Sequence, residues 1–261
     1  MAAKFTIDVE VYSDTACPWC YIGKKSLDRA METFRTRRQQ QQHGNGDGQD
    51  EQVEEVEFNV VWKPFLLFSK ARVSGYQKGA PIISMYGLAR APAVFARLQT
   101  AGAAHGITFL WEGRTGNTLD SHKLIMLARE QGKAKQDATI AALYRGVFET
   151  GKDPSDREFL VATALAVGLA PDEAAVLAWL DGDEAQRMVC ESASRPGEAE
   201  AAVAAARAAR AKGGLDDITA VPSYVVQGRF RVGGMQEPEV FVGLFERVLR
   251  ERGGGSEARG K

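Results

Sequence analysis

Within its first thirty-five residues the chain runs from an alternating segment through a pair of cysteines into an apolar stripe of helical period. Phe5, Ile7, Val9 and Val11 fall on one face and Thr6, Asp8, Glu10 and Tyr12 on the other, the period-two pattern of a strand with one side buried. The strand delivers the chain to Asp14-Thr15-Ala16-Cys17. Pro18 suits a first helical position, where its missing N–H has no partner to lose, and Ile22, Leu27, Ala30, Met31 and Phe34 continue as the stripe of an amphipathic helix. Val56, Phe58, Val60 and Trp62 then alternate with Glu57, Asn59 and Val61 and give a second strand. A strand, a helix and a strand in that order place the chain in the α/β class, with Cys17 and Cys20 where strand turns into helix.

The remainder has a different texture. Residues 35–52 are rich in Gln, Gly and charge, too polar to repay the entropy of ordering, and are expected to form a flexible surface insertion. From about Met85 to Lys212 apolar residues recur at helical spacing, broken at Gly106, Gly116, Gly132, Gly151 to Pro154, Gly168 and Pro171, so this block is expected to be nearly all helix. Its last helix carries Glu198 and Glu200 at the start and Arg207, Arg210 and Lys212 at the end, matching the helix dipole. Strands return at 223–226 and 229–232, with Gln227-Gly228 as a two-residue hairpin turn. A final helix after Pro238 is expected to bury Val240, Phe241, Leu244, Phe245, Val248 and Leu249, and residues 253–261 read as a disordered tail.

Charge and length exclude several classes of function. With 261 residues the chain can bury a core without disulfides or metal, and a net charge of −1 leaves no basic face for phosphates, so nucleic acid is not an expected partner. No run of 18 apolar residues appears, which removes a conventional membrane-spanning helix. The amino terminus enters the first strand without a basic or apolar leader, so the expected location is the cytoplasm. Three cysteines do not make a disulfide framework, and a Cys17–Cys20 pair leaves Cys190 over, among Met188, Val189 and Ala193, where a free cysteine behaves as a small apolar residue.

Two cysteines three apart, the first at a helix N-terminus, are the arrangement that dithiol exchange requires. The first turn offers unpaired N–H groups and a partial positive charge, which favour a thiolate there, so Cys17 is the expected nucleophile. Cys20, one turn along the same face, is placed to attack the mixed disulfide that Cys17 forms. The rival reading is a zinc half-site. It needs two further ligands, whereas Cys190, His43, His105 and His122 are scattered.

The stretch from Asp14 to Lys24, with its Cys17-Pro18-Trp19-Cys20 motif, resembles the active-site segment of the FrnE-like branch of the DsbA family, as do Asn117 to His122, Ala220 to Tyr224 and Gly234-Met235-Gln236. The resemblance implies a thioredoxin-like fold with a large all-helical domain inserted between the second and third strands. Residues 1–80 and 213–252 would form the two parts of the thioredoxin domain and 81–212 the insertion. It also implies a cis Val221–Pro222 bond facing the cysteines, with the Val221 backbone open to an extended substrate and no N–H on Pro222 to compete for the thiolate. Read without it, Pro222 is simply a proline opening a strand. The expected activity is thiol–disulfide exchange, as a reductase or isomerase, on a protein or glutathione-like thiol or disulfide. No cofactor is implied, and glutathione enters only as a co-substrate.

Asn117, Thr118 and His122 match a family segment that approaches the active-site face, which makes Asn117 and His122 candidate substrate contacts. On the sequence alone Asn117 or Thr118 reads as a helix N-cap and His122 as an ordinary helical polar residue. Trp19 either contacts substrate or shields Cys20. The alternative function is a glutathione-dependent isomerase or transferase of the 2-hydroxychromene-2-carboxylate isomerase or kappa type. Those relatives have Ser at the position of Cys17 and a Ser-Asp pair near Met235-Gln236, and this sequence departs at both places.

Overall fold

The computed structural model describes residues 4–44, 55–72, 75–192 and 218–253. The alternating segment forms strand β1 (Lys4–Ser13), with Ile7, Val9 and Val11 buried as the pattern requires. Helix α1 (Pro18–Gly44) follows, then β2 (Glu55–Pro64), which pairs in parallel with β1 from Lys4 opposite Glu55 to Ser13 opposite Pro64. A parallel pair needs a crossover, and α1 supplies it. β5 (Ser223–Val226) joins the other edge of β1 in antiparallel register, and β6 (Phe230–Gly233) pairs antiparallel with β5. The resulting order is β2-β1-β5-β6. The final helix, α9 (Pro238–Gly253), and α1 bring Phe245 and Phe34 together with Phe58 of β2, at ring centroid separations of 4.8 to 5.7 Å.

The helical insertion lies between β2 and β5. It comprises α2 (Ala80–Tyr86), α3 (Ala91–Ala104), α4 (Leu119–Glu130), α5 (Lys133–Glu149), α6 (Arg157–Val167), α7 (Glu173–Asp181) and α8 (Asp183–Ser192). It also carries a short ladder between β3 (Tyr76–Gln77) and β4 (Arg114–Thr115), each too short to show alternation in the sequence. Asp156 and Asp172 cap α6 and α7 by accepting from the backbone N–H groups of Glu158 and Ala175. Gly168 closes α6 in the left-handed conformation.

Several expectations are corrected. Residues 35–44 are not a flexible insertion; they continue α1 to Gly44. A helix already nucleated by packing extends at little cost through Arg and Gln, both good helix formers. Arg35 lies 5.1 Å from the Phe58 ring centroid and Arg37 3.6 Å from Glu246, so this polar stretch is held by its neighbours. Residues 45–52, the expected helix at 198–212 and the tail from 254 lie outside the described residues. The hairpin loop has three residues rather than two, because Val226 pairs with Phe230 and Arg229 belongs to the turn. Gln227 and Gly228 both take positive φ there.

Val240 is exposed and Val242 buried in its place. An amphipathic stripe defines the centre of a helix face, here Phe241, Phe245 and Val248. Residues 240 and 242 sit roughly 100° to either side of Phe241, so only packing decides between them. The same holds in α8, where Val189 faces the core and Cys190, one step round, is exposed rather than a buried apolar residue.

Candidate active site

Cys17 sits on the step from β1 into α1. Its N–H donates to the Asp14 carbonyl at 3.0 Å, closing the turn, and its own carbonyl accepts from the N–H groups of Cys20 at 3.1 Å and Tyr21 at 3.3 Å. The residue therefore stands at the head of the helix, beside the unpaired first-turn N–H groups. Both cysteines are enclosed, Cys17 with 4% of its surface accessible and Cys20 with 1%, so exposure does not distinguish their roles. Their surroundings do. The Cys17 sulfur looks across to the Val221 carbonyl at 4.0 Å, and Val221–Pro222 is cis. Burial pushes the Cys20 thiol well above its ordinary value of 9.0, and the hydrogen bond and charge of Cys17 push the same way.

The loop before Cys17 is pinned by the insertion. Asp14 is buried, and its Oδ1 accepts from the Ala16 N–H at 3.0 Å while Oδ2 accepts from the Leu67 N–H at 2.6 Å. The Thr15 and Ser121 hydroxyls share a hydrogen bond at 2.7 Å, and Ser121 donates to the Thr118 carbonyl at 2.8 Å. Tyr144 of α5 donates to the Asp14 carbonyl at 3.4 Å. Thus α4 and α5 hold the dithiol turn from behind.

The candidate residues separate into two groups. Trp19, Val221 and Pro222 gather around the cysteines: Trp19 is half-buried, and the guanidinium of Arg97 on α3 lies 5.2 Å from its ring centroid. Asn117 caps α4. Its Oδ1 accepts from the Leu119 N–H at 2.7 Å and its Nδ2 donates to the Ala71 carbonyl at 3.2 Å, so the amide is engaged with backbone. His122 is buried behind the loop, its Nε2 at 3.8 Å from Asp14 Oδ1 and without a hydrogen bond. Burial pushes the imidazole below its ordinary 6.5, against the charge of Asp14 and a backbone hydrogen bond with Phe65.

Three participants carried no role in the sequence reading. Asp14 lies inside the recognised segment, and an acid at the buried end of a strand was the available signal. Tyr224, fully buried on β5, places its hydroxyl against Gly23 of α1, where an added Cβ would come within 2.2 Å of it. Arg97 had no local signal, because its place depends on how α3 folds back over α1.

A four-stranded sheet with parallel β1 and β2, antiparallel β5 and β6, and a two-cysteine turn facing a cis-proline defines a thioredoxin-type protein with a helical insertion. Residues 8–246 match the DSBA-like thioredoxin domain, and the chain belongs to that family. A probable DsbA oxidoreductase from Streptomyces coelicolor is 27% identical, with a TM-score of 0.68 over 94% of this chain and 91% of that one. The cytosolic disulfide reductase DsbM from Pseudomonas aeruginosa, solved with GSH, has a TM-score of 0.53 at 13% identity over 93% of this chain and 99% of that one. A 2-hydroxychromene-2-carboxylate isomerase has a TM-score of 0.54 at 13% identity over 94% and 98%. The last two share the fold alone. No curated protein matches the chain.

Proposed function

We propose that this chain is a thiol–disulfide oxidoreductase of the FrnE-like branch of its family, acting in the cytoplasm as a disulfide reductase or isomerase through Cys17 and Cys20. The observation that carries the reading is the division between the cysteines: Cys17 heads α1 and faces the Val221 carbonyl, while Cys20 lies one turn deeper with its thiol held protonated by burial. The described residues include no helix long and apolar enough to cross a membrane and no cluster of His, Cys, Asp and Glu that could hold a metal.

In the reducing direction the Cys17 thiolate attacks a substrate disulfide RS–SR. A Cys17–S–S–R bond forms and one RS⁻ leaves to take up a proton. Cys20 then loses its proton and attacks the Cys17 sulfur, forming the Cys17–Cys20 disulfide and releasing the second thiol. Two electrons pass from the dithiol to the substrate, and two equivalents of a small thiol of the glutathione class restore the enzyme. Pro222 has no N–H to compete for the thiolate, and the Val221 backbone offers an edge for an extended substrate. In this reading residues 1–80 and 213–252 are the two parts of the thioredoxin domain that carries this chemistry, and 81–212 its helical insertion.

The test is turnover of a disulfide substrate with glutathione as reductant. Cys17→Ser is expected to abolish it, whereas Cys20→Ser is expected to accumulate the Cys17 mixed disulfide, visible by mass spectrometry. Turnover surviving in Cys17→Ser overturns the reading. Saturable glutathione binding with activity that survives Cys20→Ser replaces it with the isomerase or transferase class.

A further inference from the structure

Trp19 stands between the two cysteines in the sequence, and Arg97 of α3 lies over its ring, with 5.2 Å between the guanidinium carbon and the ring centroid. Arg97 is exposed, and among the described residues no carboxylate pairs with it. Arg157, by contrast, is engaged by both Asp120 and Asp181. A guanidinium over an indole ring is attracted to the ring face and still has the planar fork of N–H donors that matches a carboxylate.

Tyr86, at the end of α2, is exposed. Its phenol is raised above the ordinary value chiefly by burial. Cys17 raises it further and Arg97 lowers it, so the hydroxyl lies within electrostatic reach of both the sulfur and the cation. The Asp14 carboxylate, in the turn before Cys17, is buried and accepts from the Ala16 and Leu67 N–H groups. With a net charge of −1 the chain offers no general attraction to anions, and a local cation beside the dithiol is therefore selective.

We propose that Arg97, lying over Trp19, is a substrate-binding residue for a carboxylate a few bonds from the reacting sulfur, so that the Cys17–Cys20 dithiol prefers anionic disulfides. The proposal rests on the oxidoreductase reading and adds its substrate class. A carboxylate so placed belongs either to a small thiol acid of the glutathione kind or to an acidic residue next to a cysteine in a peptide.

The experiment compares three small disulfides of similar size with the full-length protein at low salt: 3,3′-dithiodipropionate (anionic), bis(2-hydroxyethyl) disulfide (neutral) and cystamine (cationic). The wild type is expected to have its lowest KM for the anion, with the advantage fading as salt is added. Arg97→Met is expected to raise KM for the anion by about 3- to 10-fold relative to that for the neutral disulfide, the range of one charge-assisted contact, with the effect on KM rather than kcat. Arg97→Lys should keep part of the preference, since it retains the charge without the fork. Oxidised glutathione and a pair of peptide disulfides differing by Glu or Gln beside the cysteine then distinguish the two sources. Equal KM values for the three disulfides in the wild type, or an equal loss on all three in Arg97→Met, overturn the subsite while leaving the oxidoreductase reading intact. Failure to turn over any of the three disulfides overturns both.

Discussion

Gly23→Ala tests how closely the dithiol helix is fitted to the strand that carries Val221 and Pro222. Gly23 is inside α1, one turn beyond Cys20, and a Cβ there would meet the Tyr224 hydroxyl oxygen at 2.2 Å, Pro222 Cγ at 3.3 Å and Tyr224 Cζ at 3.5 Å. The hydroxyl cannot swing clear, because Tyr224 is fully buried and its ring meets Phe241 edge-on at 4.8 Å. Overpacking of this kind costs about 1–3 kcal/mol, against which Ala gains about 1 kcal/mol over Gly in a helix interior. The net expectation is a loss of up to about 2 kcal/mol. Tyr224→Phe removes the offending oxygen, which is buried without a hydrogen bond, so by itself it should be neutral or stabilising. In that background the contact with Cζ becomes an ordinary 3.5 Å, only Pro222 must yield by a few tenths of an ångström, and Gly23→Ala should turn from harmful to neutral or favourable. Urea unfolding of the four proteins gives the coupling directly, expected at about 1–3 kcal/mol. A coupling below about 0.5 kcal/mol, within the additivity of independent sites, would refute the steric argument.

Phe34→Ala empties the space between α1, β2 and α9. Phe34 retains 2% of its surface and meets Phe58 and Phe245 edge-on at 5.7 Å each, so a loss of about 3–5 kcal/mol is expected in a denaturant titration. His122 should make stability fall in acid. Its folded value is depressed below 6.5, so the unfolded chain takes up a proton first, and stability is lost as pH drops from about 6.5 towards the lower folded value. His122→Asn should flatten that part of the stability profile, and an unchanged slope would show that His122 is not the titrating group.

Local patterns made β1, β2, the stripe of α1 and the Cys17–Cys20 turn legible, because each is written in the spacing of a few neighbouring residues: alternation for a half-buried strand, a 3.6-residue period for a helix face, and one helical turn between two thiols. Composition misled at residues 35–44. Polarity argued for a loop, but a helix anchored upstream extended through them. The edges of apolar faces were equally hidden, since Val240 and Val242 flank Phe241 symmetrically and Cys190 adjoins Val189.

What the sequence by itself determined was the chemistry: which two thiols can pair and which of them heads a helix. Tertiary structure decided what surrounds them. It brought Val221 to Cys17 across 204 residues, set Ser121 against Thr15 across 106, buried His122 behind Asp14 and laid Arg97 over Trp19. Contacts between distant segments arise from the packing of whole elements, and no local period records them.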